Sequence, residues 1–199
     1  MLGIVLYAIG VMYTPGPVNL LSLSNGMQRR VYEHIPFSTG VATALCFWLI
    51  LVGYTGRAVL NEKMLPVVAG LGVCFILYLA YKILSSPVGT APDSKTVSAL
   101  NYKDGLLMQC LNPKSFVFVL PVATVQFPAA GIEGTGIAIW SIFLGILGFG
   151  APFVYAMFGS TVARHVSKAS YLKYVNYIMG VMLIAVAVDM AYEHVYLAF

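Results

Sequence analysis

Two short runs carry polar and helix-breaking residues into otherwise apolar stretches. They are Thr14-Pro15-Gly16-Pro17, followed by Asn19, Ser22 and Gly26, and Asn112-Pro113-Lys114. Each reads as a helix start. Thr14 or Asn112 would supply the N-cap oxygen, and a proline would follow at the first helical position, where its missing N–H costs nothing. A helix that begins inside an apolar layer points unsatisfied N–H groups and a partial positive charge beyond its end. Two such ends together would attract an anionic group. Lys114 adds a full positive charge, but beside a helix N-terminus it has the wrong sign for the dipole, and it is costly in hydrocarbon. Either an internal carboxylate or a bound molecule should offset it, unless the side chain snorkels to the surface. Lys114 follows Lys103 by eleven residues, roughly 16 Å along a helix, which places it deep.

The face after the first break is polar. Asn19, Ser22 and Gly26 recur at helical spacing, so they share one side of the helix. Asn19 can both donate and accept, and would hold an ammonium or a carboxylate. Ser22 and Gly26 read equally well as small residues that let helices approach closely.

These residues must be held by membrane helices. The chain has 199 residues, 60% hydrophobic and 9% charged, against roughly a quarter charged in soluble domains. No basic run suits nucleic acid. Windows of about 20 apolar residues give six spans, at 2–27, 36–60, 64–84, 103–127, 137–162 and 172–196. The N-terminus lacks the basic start and the cleavage site of a signal peptide and reads as a retained first span. Around the first, third and fifth connections lie Arg29, Arg30, Lys82, Lys95, Lys103, Arg164, Lys168 and Lys173, against Arg57 and Lys63 on the other side. The positive-inside rule then puts those three connections in the cytoplasm and both termini on the outer, periplasmic side. The expected fold is an all-α membrane protein with six transmembrane helices, a single domain over 1–199. It would be built as two inverted three-helix repeats, about 1–85 and 100–199, joined by a linker at 86–99. The breaks fall in the first span of each half, so spans 1 and 4 are expected to be interrupted at mid-membrane. Irregular backbone at that depth belongs inside protein or beside a watery cavity.

Taken together, TPGP followed by NLLSLSNG (14–17, 19–26), the paired-basic connection, GLGVCFILYLAYKIL (70–84) and GLLMQCLNPKSFVFVLP (105–121) resemble the LysE/RhtB family of amino-acid exporters. The resemblance spans nearly the whole chain. It implies efflux of amino acids or close derivatives across the bacterial inner membrane, driven by the proton gradient. It also implies that Thr14, Pro15, Gly16, Pro17, Asn112, Pro113 and Lys114 carry function. Three positions depart from the family pattern. Val18 stands where an acidic or amide residue often follows the break, Leu45 replaces an early acidic residue of span two, and Phe75 stands for a tyrosine. Losing two carboxylates argues against dicationic substrates and leaves a small neutral zwitterion. Its carboxylate would meet Lys114 and the half-helix N-termini. Its ammonium would meet Asn19, Asn112 and carbonyls of the unwound segments, at the negative ends of the first half-helices.

Other polar residues carry weaker expectations. Asp189 and Glu193 lie four apart late in span six. Asp189 is a candidate for proton coupling, against plain solvation at the outer end. His34 and His165 fall in basic connections and are expected at the surface. Cys46, Cys74 and Cys110 are expected as small buried apolar residues. GILGFGAPF (145–153) would be a hinge or a close-packing face against span one, and glycine-lined faces would suit a homodimer. No histidine lies deep enough for a serine hydrolase, and no ligand cluster for a metal lies inside a span, so neither an enzyme nor a cofactor or metal is expected. An exporter of another small solute or ion, or a non-transporting assembly subunit, is the alternative; the latter has no need of Lys114 or of two breaks.

Overall fold

The computed structural model describes residues 1–28, 31–56, 70, 73–74, 76–78, 80–81, 84–85, 100–165 and 169–194. Most of the third span and the linker at 86–99 therefore lie outside the described residues, as do Phe75 and seven of the flanking cations, Arg29, Arg30, Arg57, Lys63, Lys82, Lys95 and Lys168. Every regular element described is helical: α1 (Leu2–Met12), α2 (Pro17–Gln28), α3 (Ile35–Thr55), α4 (Tyr102–Cys110), α5 (Pro113–Pro121), α6 (Thr135–His165) and α7 (Ala169–His194). α3, with the turn that opens it, and α6 are each long and apolar enough to cross a membrane alone. α1 with α2, and α4 with α5, qualify as bent pairs, so the described residues hold two spans, or four if each pair is one span.

The bends sit at the two sequence breaks. α1 and α2 meet at 60°, and α4 meets the helical run Lys114–Ala129, which begins with α5, at 68°. Pro15 and Pro17 each lack the N–H that would continue α1, so the ladder of backbone bonds stops there. α1 ends with the Tyr13 N–H on Ile9 O at 3.0 Å, and α2 starts afresh at Pro17. In the second pair, Asn112 caps α5: its Oδ1 accepts from the Lys114 N–H at 3.1 Å, with Pro113 at the first helical position. The cap expected of Asn112 is thus present. Thr14 differs, because α2 begins three residues later and the Thr14 hydroxyl turns back to donate to Val11 O at 2.7 Å. α5 then passes into a π-helical stretch at Val122–Gln126 and a last short turn at Phe127–Ala129. Asp104 closes a reciprocal capping box with Asn101 at the start of α4, with bonds of 2.9 and 3.1 Å.

Glycines decide which helices touch backbone to backbone. A Cβ on Gly26 would collide with Ala156 O, and one on Gly159 with Leu23 O, so α2 lies directly against α6. Gly40 and Gly105 do the same for α3 and α4, facing Tyr102 O and Phe37 O. Membrane helices have no hydrophobic driving force between them, so close approach over small residues is what holds them together. GILGFGAPF follows this packing logic. α6 runs unbroken through buried Pro152. Gly145 and Gly148 admit Cys46 and Leu45 of α3, and Gly150 admits the ring of Tyr13 at the first break. By contrast Gly3 and Gly10 of α1 face open space. Exposed Leu2 and Leu6 on α1, and Ile139, Ile142 and Ile146 on α6, give those helices outward apolar faces, suited to lipid.

Two expectations are corrected. His34 is not at the surface: it is 1% exposed. The turn Val31–His34 leads into α3 with no spacer, which tucks the imidazole under α2. There its Nδ1 lies 3.3 Å from Asn25 Oδ1 and its ring packs on Phe37. His165 has its side chain outside the described residues. Of the cysteines, Cys46 and Cys110 are half-buried but Cys74 is exposed. All three are free thiols.

Candidate functional site

The two breaks meet around one cavity. It has an empty volume of about 450 Å³, part of it open to the outside, and both breaks together with α3 and α6 line it. Its polar lining is Asn19 from α2, Gln109 from α4, and Asn112, Lys114 and Ser115 from the second break, with Gly16 from the first. Val11, Met12, Val41, Leu45, Phe118 and Pro152 are among its apolar walls. No carboxylate is among its described lining residues.

Lys114 answers the charge problem that its position poses. Its side chain leaves the start of α5 and crosses to the first break. There Nζ donates to Thr14 O at 2.8 Å and to Thr14 Oγ1 at 2.7 Å. These oxygens lie just beyond the C-terminal end of α1, where the helix dipole is negative and a cation is favoured. The lysine is therefore neither snorkelling nor paired with a carboxylate; a helix end takes the place of the acid. Gly16 makes the crossing feasible, since a Cβ there would sit 3.2 Å from Nζ and 3.3 Å from Cδ.

Asn19 shares one of these oxygens, Thr14 O, with Lys114. Its Nδ2 donates to Met12 O at 2.8 Å and to Thr14 O at 2.9 Å. The amide therefore caps the carbonyl end of α1 across the break. Its side chain is nearly fully buried, and it lines the cavity. The second break has its own brace, with Ser115 Oγ donating to Gln109 O at 2.8 Å.

The two half-helix starts are not equivalent, which revises the expectation of free N–H groups at both. At α5 they are used up locally. Pro113 has none, Lys114 N–H goes to Asn112 Oδ1, and Ser115 N–H goes to Asn112 O at 2.9 Å. At α2 the N–H groups of Val18 and Asn19 open the helix with no backbone acceptor among the described residues. Backbone donors for an anion therefore come from α2, and from α5 comes the lysine.

The remaining expected residues lie as follows. Thr14 contributes its carbonyl and hydroxyl to Lys114, while exposed Pro15 and buried Pro17 shape the bend without lining the cavity. Pro113 has its side chain outside the described residues. Ser22 lies off the cavity, fully buried, and returns its hydroxyl to Val18 O at 2.7 Å. Gly26 is a packing glycine against α6. Asp189 lies on α7 with its side chain outside the described residues. Gln109, Ser115 and Phe118 are cavity residues that the sequence reading did not single out. Gln109 had a signal: a lone amide inside an apolar span, three residues before Asn112.

Residues 9–194 match the family described as LysE type translocator. The chain belongs to that family. Among relatives of this translocator, the cysteine/O-acetylserine efflux protein of Escherichia coli O157:H7 is 23% identical over 189 residues, covering 94% of each chain. The proteins of that name from Salmonella choleraesuis (strain SC-B67) and Salmonella typhimurium are 24% identical over the same share. No solved structure matches the chain. The translocator is accordingly a membrane transport protein with efflux proteins as relatives, and not a member of an enzyme family.

Proposed function

We propose that this translocator exports small neutral zwitterionic amino acids or close derivatives across the inner membrane, coupled to protons. The observation that carries the reading is the charge pattern of the cavity. A lysine and two α2 N–H groups with no acceptor among the described residues supply a positive pole, the carbonyl end of α1 supplies a negative one, and no carboxylate is among the described lining residues. A zwitterion presents the matching pair. A second cationic group, as in lysine or arginine, would find no acid to neutralise it. Cysteine and O-acetylserine, named for the efflux relatives, are zwitterions of this neutral kind.

In this reading the six spans form two inverted halves, with interrupted first spans meeting at mid-membrane and both termini outside. Thr14, Gly16, Asn19, Asn112 and Lys114 form the substrate site, Pro15, Pro17 and Pro113 set its backbone, and Asp189 relays the coupling proton. The test is efflux from proteoliposomes holding the full chain, with a panel of radiolabelled neutral, acidic and basic amino acids and an imposed pH gradient. Faster efflux of small neutral members, abolished by a protonophore, is the expected result. No efflux of any member, or equal efflux of lysine, refutes the reading.

A further inference from the structure

We propose that Lys114 is the resident occupant of the substrate's ammonium site. In the empty carrier its Nζ holds the two Thr14 oxygens that the substrate's ammonium takes on loading, and the displaced lysine then pairs with the substrate's carboxylate. The inference rests on the exporter reading above and adds the order of partners to it.

The chemistry of the two cations supports the exchange. The end of a lysine side chain and the amine of an α-amino acid are both primary ammonium groups with three donors and no acceptor. The site built at the end of α1 selects for that group. Thr14 Oγ1 commits its hydrogen to Val11 O at 2.7 Å, so toward an ammonium the hydroxyl can only accept. Thr14 O is held in place by Asn19 Nδ2 at 2.9 Å. Both oxygens are acceptors beside a negative helix end, and Lys114 Nζ sits on them at 2.8 and 2.7 Å. The absence of a carboxylate in the described lining makes the exchange necessary, because a lysine pulled from Thr14 finds a full negative charge only on the substrate. The α2 N–H groups of Val18 and Asn19 open beside Gly16 and offer the carboxylate a second contact.

Loading is then an exchange of partners in which no charge is left bare. It requires both poles on one molecule. An amine without a carboxylate would expel Lys114 into a cavity with no carboxylate in its described lining, and a carboxylate without an amine would leave the Thr14 oxygens empty. The purified full-length carrier is tested with L-cysteine, N-acetyl-L-cysteine, 3-mercaptopropionate and cysteamine, by thermal shift and by exchange in proteoliposomes. For the wild type, only L-cysteine should stabilise and exchange. In Lys114→Met the ammonium site is vacant, so cysteamine should bind at least about tenfold more tightly than to the wild type, a difference of roughly 1.4 kcal/mol. Lys114→Leu, which also carries no donor, repeats the measurement should the methionine variant fail to fold. Equal exchange of N-acetyl-L-cysteine and L-cysteine by the wild type, or no gain of cysteamine binding in either variant, overturns the exchange. Failure of the wild type to move any amino acid of the panel instead overturns the exporter reading, while cysteamine binding to Lys114→Met still reports on the vacated site.

Discussion

Replacing Lys114 by methionine separates the lysine's part in folding from its part in transport. In the empty carrier the substitution removes two hydrogen bonds, to Thr14 O and Thr14 Oγ1. It leaves no buried charge behind, because both acceptors are neutral and Thr14 is exposed. Thr14 O still accepts from Asn19 Nδ2, and Thr14 Oγ1 still donates to Val11 O. The carbonyl end of α1 therefore stays capped, and the cost to folding should be about 1 kcal/mol or less. Removing a half-desolvated ammonium from an apolar surrounding offsets part of even that. In the loaded carrier the loss is larger. A charge-assisted bond to the substrate carboxylate contributes about 1.5–3 kcal/mol, and every 1.4 kcal/mol is a factor of about ten. Export of the neutral amino acid moved in the panel assay should fall at least tenfold and toward a hundredfold, with membrane abundance unchanged. Cells overproducing the carrier would be grown on inhibitory levels of that amino acid beside a membrane blot, and the purified variant assayed for counterflow. Normal export by an abundant Lys114→Met protein would refute the argument that the lysine meets the cargo.

Further predictions follow from other contacts. Gly26→Val drives side-chain atoms into the Ala156 carbonyl; overpacking of this kind costs about 1–3 kcal/mol or more, which a melting curve of the detergent-solubilised protein would show, whereas Gly10→Ala, facing open space, should melt like the wild type. Asn112→Ala removes the cap of α5 and should cost about 0.5–2 kcal/mol, with Asn112→Asp restoring thermal stability. Val18→Asp places a carboxylate beside the cavity and should admit lysine to counterflow that the wild type does not support; no lysine transport by a stable Val18→Asp protein would count against reading the missing acids as the basis of selectivity. Asn19→Leu strips the brace from Met12 O and Thr14 O and should abolish export; near-normal export would remove Asn19 from the site.

Much of the framework could be read from residue order. Apolar windows announce membrane helices, and alternating proline with glycine announces that one of them is interrupted. Asn112-Pro113 marks the start of α5 because a cap and its proline act on their own neighbours. Thr14 misled for the same local reason. Its hydroxyl had two acceptable partners, the N–H groups ahead or the carbonyl behind, and the sequence does not rank them. His34 was misplaced because a run of charged neighbours says nothing about a turn that carries one ring underneath the next helix. Gln109 and Phe118 escaped notice because their membership of the cavity depends on where α4 and α5 lie against α3 and α6.

The sequence alone determined the class of the protein, the places where its helices break and the presence of one unmatched lysine deep in an apolar span. These are properties of neighbouring residues, and the local backbone obeys them wherever the segment goes. The partner of that lysine was decided only by tertiary structure. Thr14 lies a hundred residues away, and its oxygens become a cation site because the bend in the first span turns a helix end toward the second break. A helix end has no residue type, so no letter in the sequence marks it; the fold creates it by stopping α1 at the first break and turning that end toward Lys114.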